Sequence, residues 1–164
     1  MEIISHKQVK QKIKRVAIEI LEHNFDQKII YLVGVNNNGF RFAKLIQREM
    51  QEHGRAEVRL INVRLNAADP LADPISLSVD PDTLSDQHIV VVDDVANSGR
   101  TLFYAMKPLL GILPGKVEAA VLVDRTHKLF PIKVDYVGMS LATTLKQNIQ
   151  VDLDDGRAFS VMLD

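Results

Sequence analysis

Ile89-Val90-Val91-Val92-Asp93-Asp94-Val95-Ala96-Asn97-Ser98-Gly99-Arg100-Thr101 is the most informative stretch of this chain. Four consecutive β-branched apolar residues predict a strand buried on both faces. Asp93 and Asp94 then stand at the carboxyl end of that strand. Ala96 to Thr101 form a small polar turn, and a helical run, Leu102 to Met106, follows. In an open α/β sheet, ligands bind outside the carboxyl ends of the strands, where such turns lie. Backbone N–H groups of a tight turn feeding a helix suit a phosphate. Two carboxylates beside such a cradle are not there for the phosphate itself. They suit sugar hydroxyls, or an oxygen-liking Mg²⁺ held partly through water. The plainer reading is a buried strand that ends in a solvated acidic turn.

Outward from this segment, composition agrees with one domain spanning residues 1–164. A chain of 164 residues can bury one sizeable core. Its 46% hydrophobic and 25% charged content is ordinary for a soluble globular protein. A net charge of −1 argues against a general nucleic-acid or membrane-surface binder. With no cysteine, disulfides, thiol catalysis and Cys-ligated zinc are excluded. A cytoplasmic location is expected, since no apolar stretch resembles a signal peptide or is long enough to span a bilayer.

The remaining elements alternate. Residues 6–23 have a helical period, with Val9, Ile13, Val16, Ala17 and Ile20 on one face. Ile29 to Val35 predicts a buried strand, Asn36 to Gly39 a turn, and Phe40 to Met50 a helix. Glu57 to Leu65 alternates as a strand does. Residues 66–87, with Pro70, Pro74, Pro81 and several Asp and Ser, read as a long loop. Pro108 should kink or end the helix after Thr101, because it has no N–H to donate to the Tyr104 carbonyl. Val117 to Val123 predicts another buried strand, and Ile132 to Val137, Ile149 to Leu153 and Phe159 to Leu163 shorter ones. The alternation predicts a three-layer α/β domain, a mostly parallel central sheet flanked by helices.

Residues 89–101 also resemble the phosphoribosyl-pyrophosphate (PRPP) motif of type I phosphoribosyltransferases. That motif is four apolar residues, Asp, an acid, an apolar residue, any two residues, Ser or Thr, Gly, any residue, Thr. All of its constrained positions are met. A second patch narrows the resemblance. Val123-Asp124-Arg125-Thr126-His127-Lys128 and Pro131 to Gly138 are similar to V-D-R-G-H-R and P-I-R-A-D-Y-V-G-K of the PyrR group. Those proteins are pyrimidine-operon attenuators that also act as uracil phosphoribosyltransferases. Leu32 to Val35 and Ala17 to Ile20 match their first strand and first helix. The likeness spans nearly the whole chain and is weakest over residues 62–87.

The resemblance implies transfer of a phosphoribosyl group between PRPP and a nucleobase, a pyrimidine such as uracil first. It implies that Asp93 and Asp94, the catalytic pair, hold the ribose hydroxyls. Ala96, Asn97, Ser98, Gly99, Arg100 and Thr101 hold the 5′-phosphate, and Asn36, Asn37, Asn38 and Gly39 touch pyrophosphate. Arg125, Lys133, Tyr136 and Val137 flank the base, with Leu141 to Thr144 part of the hood over it. Mg²⁺ comes with PRPP, with no direct protein ligand. A homodimer or higher homo-oligomer is expected. Asn97 stands where purine-salvage relatives carry Asp. An amide is no general base at neutral pH, which favours a pyrimidine.

Departures from the pattern matter as much. The PyrR group has Lys-Thr-Arg-Gly where this chain has Asn36-Asn37-Asn38-Gly39, and no Lys or Arg lies between Leu65 and Gly99. Pyrophosphate gathers charge as it leaves. Losing one preorganised donor costs about 2.7–4 kcal/mol, or roughly 10²–10³ in rate. Arg41 and Arg100 are the candidate substitutes. The alternative to an enzyme is therefore a weakened, nucleotide-sensing regulator. RNA binding rests on Lys7, Lys10, Lys14 and Arg15 of the first helix. Ile18 and Met139, in place of a relative's His and Lys, remove charge that an RNA phosphate would need.

Overall fold

The computed structural model describes residues 1–142 and 146–164. Its order is β1 (Glu2–Ile4), α1 (His6–His23), β2 (Ile29–Val35), α2 (Asn36–His53), β3 (Glu57–Arg64), β4 (Ser76–Leu77), β5 (His88–Ala96), α3 (Arg100–Ala105), β6 (Lys116–Arg125), β7 (Tyr136–Leu141), β8 (Ile149–Asp152) and β9 (Ser160–Leu163). Two sheets result. The larger has strand order β4-β3-β2-β5-β6-β7, and the smaller has order β1-β9-β8. Every pairing in the larger sheet is parallel except the antiparallel edge strand β4. The expected three-layer, mostly parallel fold is found.

Burial on both faces explains the near-continuous apolar runs of β2, β5 and β6. Val90, Val92, Ala120 and Leu122 point into a core closed by α1 and α2. Tyr31, Val33, Val91 and Val121 point into a second core closed by α3 and the loops. Ser5 caps α1 in a capping box with Gln8, whose side-chain oxygen accepts the Ser5 N–H at 2.8 Å. Arg15 docks α1 on β7 by donating to the carbonyls of Val137 and Gly138.

The structure departs from the sequence reading at several points. The expected turn at Asn36 to Gly39 is the first turn of α2. Only Asn36 keeps a turn conformation, with φ 50°. The 66–87 loop contains β4 and a 3₁₀ turn at Pro81–Leu84, which Asp80 caps by accepting the Asp82 N–H at 3.0 Å. Ile132 to Val137 was expected to be a strand, but β7 runs from Tyr136 to Leu141. Pro131 has no N–H for a ladder, and Ile132 and Val134 pack on the second core as irregular chain. Pairing starts only where Asp135 donates its N–H to the Ala119 carbonyl at 2.9 Å. The helix after Thr101 ends at Ala105, ahead of Pro108, which lies in a 3₁₀ turn. Strand β1, only three residues long, was missed. Among the described residues no helix is long and apolar enough to cross a membrane.

Candidate functional site

Strand order locates the site. From β2 the chain crosses through α2 to β3 on one side, and from β5 through α3 to β6 on the other. The carboxyl ends of β2 and β5 are therefore a topological switch point, where a crevice forms between diverging crossovers. A cleft of about 430 Å³ opens there, lined by Val35 to Asn38, Asp93 to Val95, Asn97 and Thr101, with Ala67 and Ile149. Residues nearly sixty positions apart meet because β2 and β5 pair in register, Gly34 beside Val92.

The asparagine wall is held from β3. Asn62 donates its side-chain amide to the carbonyls of Gly34 and Asn36, both at 2.9 Å. Asn36 Oδ1 accepts the Leu65 N–H at 3.0 Å. These bonds secure the left-handed conformation of Asn36, which asparagine tolerates better than most residues. The start of α2, where the first N–H groups have no carbonyl within the helix, thus borders the cleft, as an anion site requires. Gly39 lets α2 approach β5. A Cβ there would stand 2.5 Å from the Val92 carbonyl oxygen and 3.2 Å from both Asp93 Cα and Oδ1. Gly39→Ala is expected to cost roughly 1–3 kcal/mol through overpacking. It should lower the melting temperature and push α2 off the acids.

Asp93 is buried and Asp94 half-buried. Asp93 Oδ1 accepts the Asp94 N–H at 2.9 Å, and Asp94 Oδ1 accepts the Val95 N–H at 2.9 Å. Each side chain is thereby pinned by the next residue's amide. Burial, reinforced by the neighbouring Asp94 charge, pushes the Asp93 carboxyl well above its usual range. The free site is electrostatically strained, and hydroxyl or cation partners would relieve that strain.

The turn after β5 is braced by a distant segment. Gly99 takes φ 86°, open to glycine at little cost. The Ser98 carbonyl accepts N–H bonds from Leu129 at 2.9 Å and Phe130 at 3.2 Å. The Arg100 N–H donates to Ser98 Oγ at 3.3 Å. Val95 to Leu102 line a small concavity, about 40 Å³, next to the main cleft. Arg100 itself is turned to the 66–75 loop, where it donates to the Ala67 and Ala68 carbonyls at 2.7 and 3.3 Å.

The four residues expected to flank the base, Arg125, Lys133, Tyr136 and Val137, lie outside the lining of this cleft. Arg125 is buried and ties the end of β6 to the Gln147 carbonyl. Lys133 is 88% exposed beside Asp135. Tyr136 is core, its hydroxyl donating to Glu118 and its ring against His23. Val137 packs on the second core. Alternation in a strand sends Tyr136 and Val137 to opposite faces of the sheet, whereas the cleft lies beyond its end. Leu141 closes β7, and Thr143 and Thr144 of the expected hood lie outside the described residues. The wall that does face the acids is Ile149 at the start of β8. A single apolar residue there carried no signal in the sequence.

Fold and cleft together define an α/β protein with a polar, acid-bearing cleft at the switch point of a mostly parallel sheet. Residues 1–155 match the phosphoribosyl transferase domain, and the chain belongs to that family. The bifunctional protein PyrR of Streptococcus pneumoniae (strain CGSP14) is 31% identical over 159 residues, covering 94% of this chain and 90% of that protein. PyrR of Bacillus pumilus (strain SAFR-032) is 29% identical over 162 residues, covering 93% and 90%. Among solved structures, the hypoxanthine phosphoribosyltransferase of Trypanosoma cruzi superposes with a TM-score of 0.76 at 19% identity, covering 98% of this chain and 95% of that one. The GMP complex of an HGPRT-ase from Leishmania tarentolae gives 0.71 at 23% identity, covering 86% and 81%. These structures share the fold.

Proposed function

We propose that the protein transfers a phosphoribosyl group between PRPP and a nucleobase, with uracil the first candidate. The observation that carries this reading is the meeting of Asp93–Asp94, the Ala96–Thr101 turn and the start of α2 around one cleft. In this reading the turn holds the 5′-phosphate, the two acids orient the ribose hydroxyls, and Asn36 to Gly39 face the pyrophosphate. The bond from the ribose anomeric carbon to pyrophosphate breaks as the base nitrogen attacks the same carbon, and the proton of that nitrogen passes to solvent or to the departing pyrophosphate. The leaving group carries the electron pair away, so its charge must be met. Asp94 and the amide oxygens of Asn37 and Asn38 are hard oxygen donors at the cleft, fit for Mg²⁺ held through water and the ligand's own oxygens. When bound, that ion would neutralise pyrophosphate charge. Asn97 lines the cleft and cannot abstract a proton at neutral pH, which supports a pyrimidine over a purine.

The second reading is a nucleotide-sensing regulator of the PyrR kind, favoured by the uncharged Asn36–Asn38 wall. RNA contact in that reading falls to Lys7, Lys10 and Lys14, all exposed. Arg15 is engaged with Glu19 at 2.7 Å and with β7. PRPP-dependent UMP formation at saturating Mg²⁺ separates the two readings. Calorimetry should show UMP binding roughly tenfold or more tighter than uridine, the worth of a charge-assisted hydrogen bond or two. Equal affinities would remove the phosphate from Ser98 to Thr101. UMP binding without turnover would favour the sensor.

A further inference from the structure

The Asn36–Gly39 wall brings no charge, and the chain from Asn66 to Ser98 brings no Lys or Arg. Resting on the transferase reading above, we infer that Arg64, the last residue of β3, supplies the cation for pyrophosphate. Val63 of β3 pairs with Val35 of β2, so Arg64 lies one strand over from the asparagine wall, level with Asn36. Its guanidinium donates from Nη2 to Asn37 Oδ1 at 3.1 Å. Asn37 lines the cleft, so the charge stands one hydrogen bond from its wall.

That charge is available. Among the described residues no carboxylate lies within ion-pair distance of Arg64, and the guanidinium rests on a neutral amide oxygen. Exchanging that amide for a diphosphate oxygen replaces a neutral hydrogen bond with a charge-assisted one, roughly twice as strong. The guanidinium fork also matches paired phosphate oxygens. Of the other two candidate cations, one is engaged and the other lies outside the cleft lining. Arg100 holds the carbonyls of Ala67 and Ala68. Arg41 lines a separate hollow with Lys44, Arg48, Asp154 and Asp155. The cation absent from the loop is thus replaced from the neighbouring strand, where the parallel pairing of β2 and β3 puts it.

Arg64→Gln keeps a side-chain donor for Asn37 and removes the charge. It is expected to weaken affinity for PRPP and for inorganic pyrophosphate roughly 10–100-fold, the worth of one hydrogen bond to a charged group. UMP has no pyrophosphate, so its affinity should hold, as should the melting temperature. Arg64→Lys should recover part of the loss, and the salt dependence of PRPP binding should be shallower in Arg64→Gln than in the parent. Unchanged PRPP affinity in Arg64→Gln would overturn the assignment and leave the transferase reading standing. Parallel losses for PRPP and UMP would also overturn it, showing that Arg64 only shapes the wall. A parent protein that binds UMP but neither PRPP nor pyrophosphate would overturn the transferase reading and the assignment with it.

Discussion

Asp93→Asn combined with Asp94→Asn is expected to weaken PRPP and UMP binding by roughly 10²–10³-fold, because two hydrogen bonds from sugar hydroxyls to charged acceptors are reduced to neutral ones. The same protein should melt no lower than the parent. Asparagine keeps an oxygen at each position, so the N–H bonds from Asp94 and Val95 to these side chains can persist. What is removed is the burial of a carboxylate next to another. The sign of the pH dependence follows. Asp93 has its native pKa raised above an unfolded value near 3.8, by burial first and by Asp94 second. Between those two values the native state holds a proton that the unfolded chain has released. Parent stability therefore falls as pH rises through that window, and the penalty is complete above it. The variant's advantage should be absent below about pH 3.8 and grow as pH rises toward the raised native value of Asp93. Melting curves across pH check this. A double variant that unfolds at lower temperature at pH 7 would show that the acids are structural.

Asn38→Arg is expected to raise the rate of UMP formation, by up to roughly 10²–10³-fold, the worth of one preorganised donor at developing charge. Asn38 is exposed, lines the cleft and sits in the first turn of an eighteen-residue helix, so the new side chain projects from rigid backbone. A cation at a helix N-terminus opposes the macrodipole by about 0.3–1 kcal/mol, and the variant should melt slightly lower. Steady-state assays of parent and variant at saturating Mg²⁺ decide it. A parent that is already fast, and is slowed by Arg64→Gln, would show that β3 has made the loop cation unnecessary.

How much of this was legible differs element by element. The run Ile89 to Val92 can hardly be anything but a buried strand, and the acids after it must then stand at a sheet edge. The helical period of residues 6–23 and the end of α3 ahead of Pro108 are equally local matters. Such features depend on propensities and steric rules that act over a few residues. The start of α2 was not legible. Three asparagines and a glycine favour a turn by themselves. Asn62 and the Leu65 amide, supplied by another strand, hold Asn36 and let the helix begin at once. The packing of Tyr136 was not legible either, because its partner Glu118 and neighbour His23 lie on other elements.

The sequence by itself determined that this is an α/β chain, from its alternating elements, and that a small polar turn follows an acidic strand end, since that turn and strand end lie within thirteen consecutive residues. Tertiary structure alone decided what stands opposite them. Strand order put β2 beside β5 and opened the cleft, β3 brought Arg64 to Asn37, and β8 brought Ile149 to the acids. Hydrophobic periodicity reports which face of a strand is buried. It carries no information on which strand lies alongside, because that depends on packing among elements far apart in the chain.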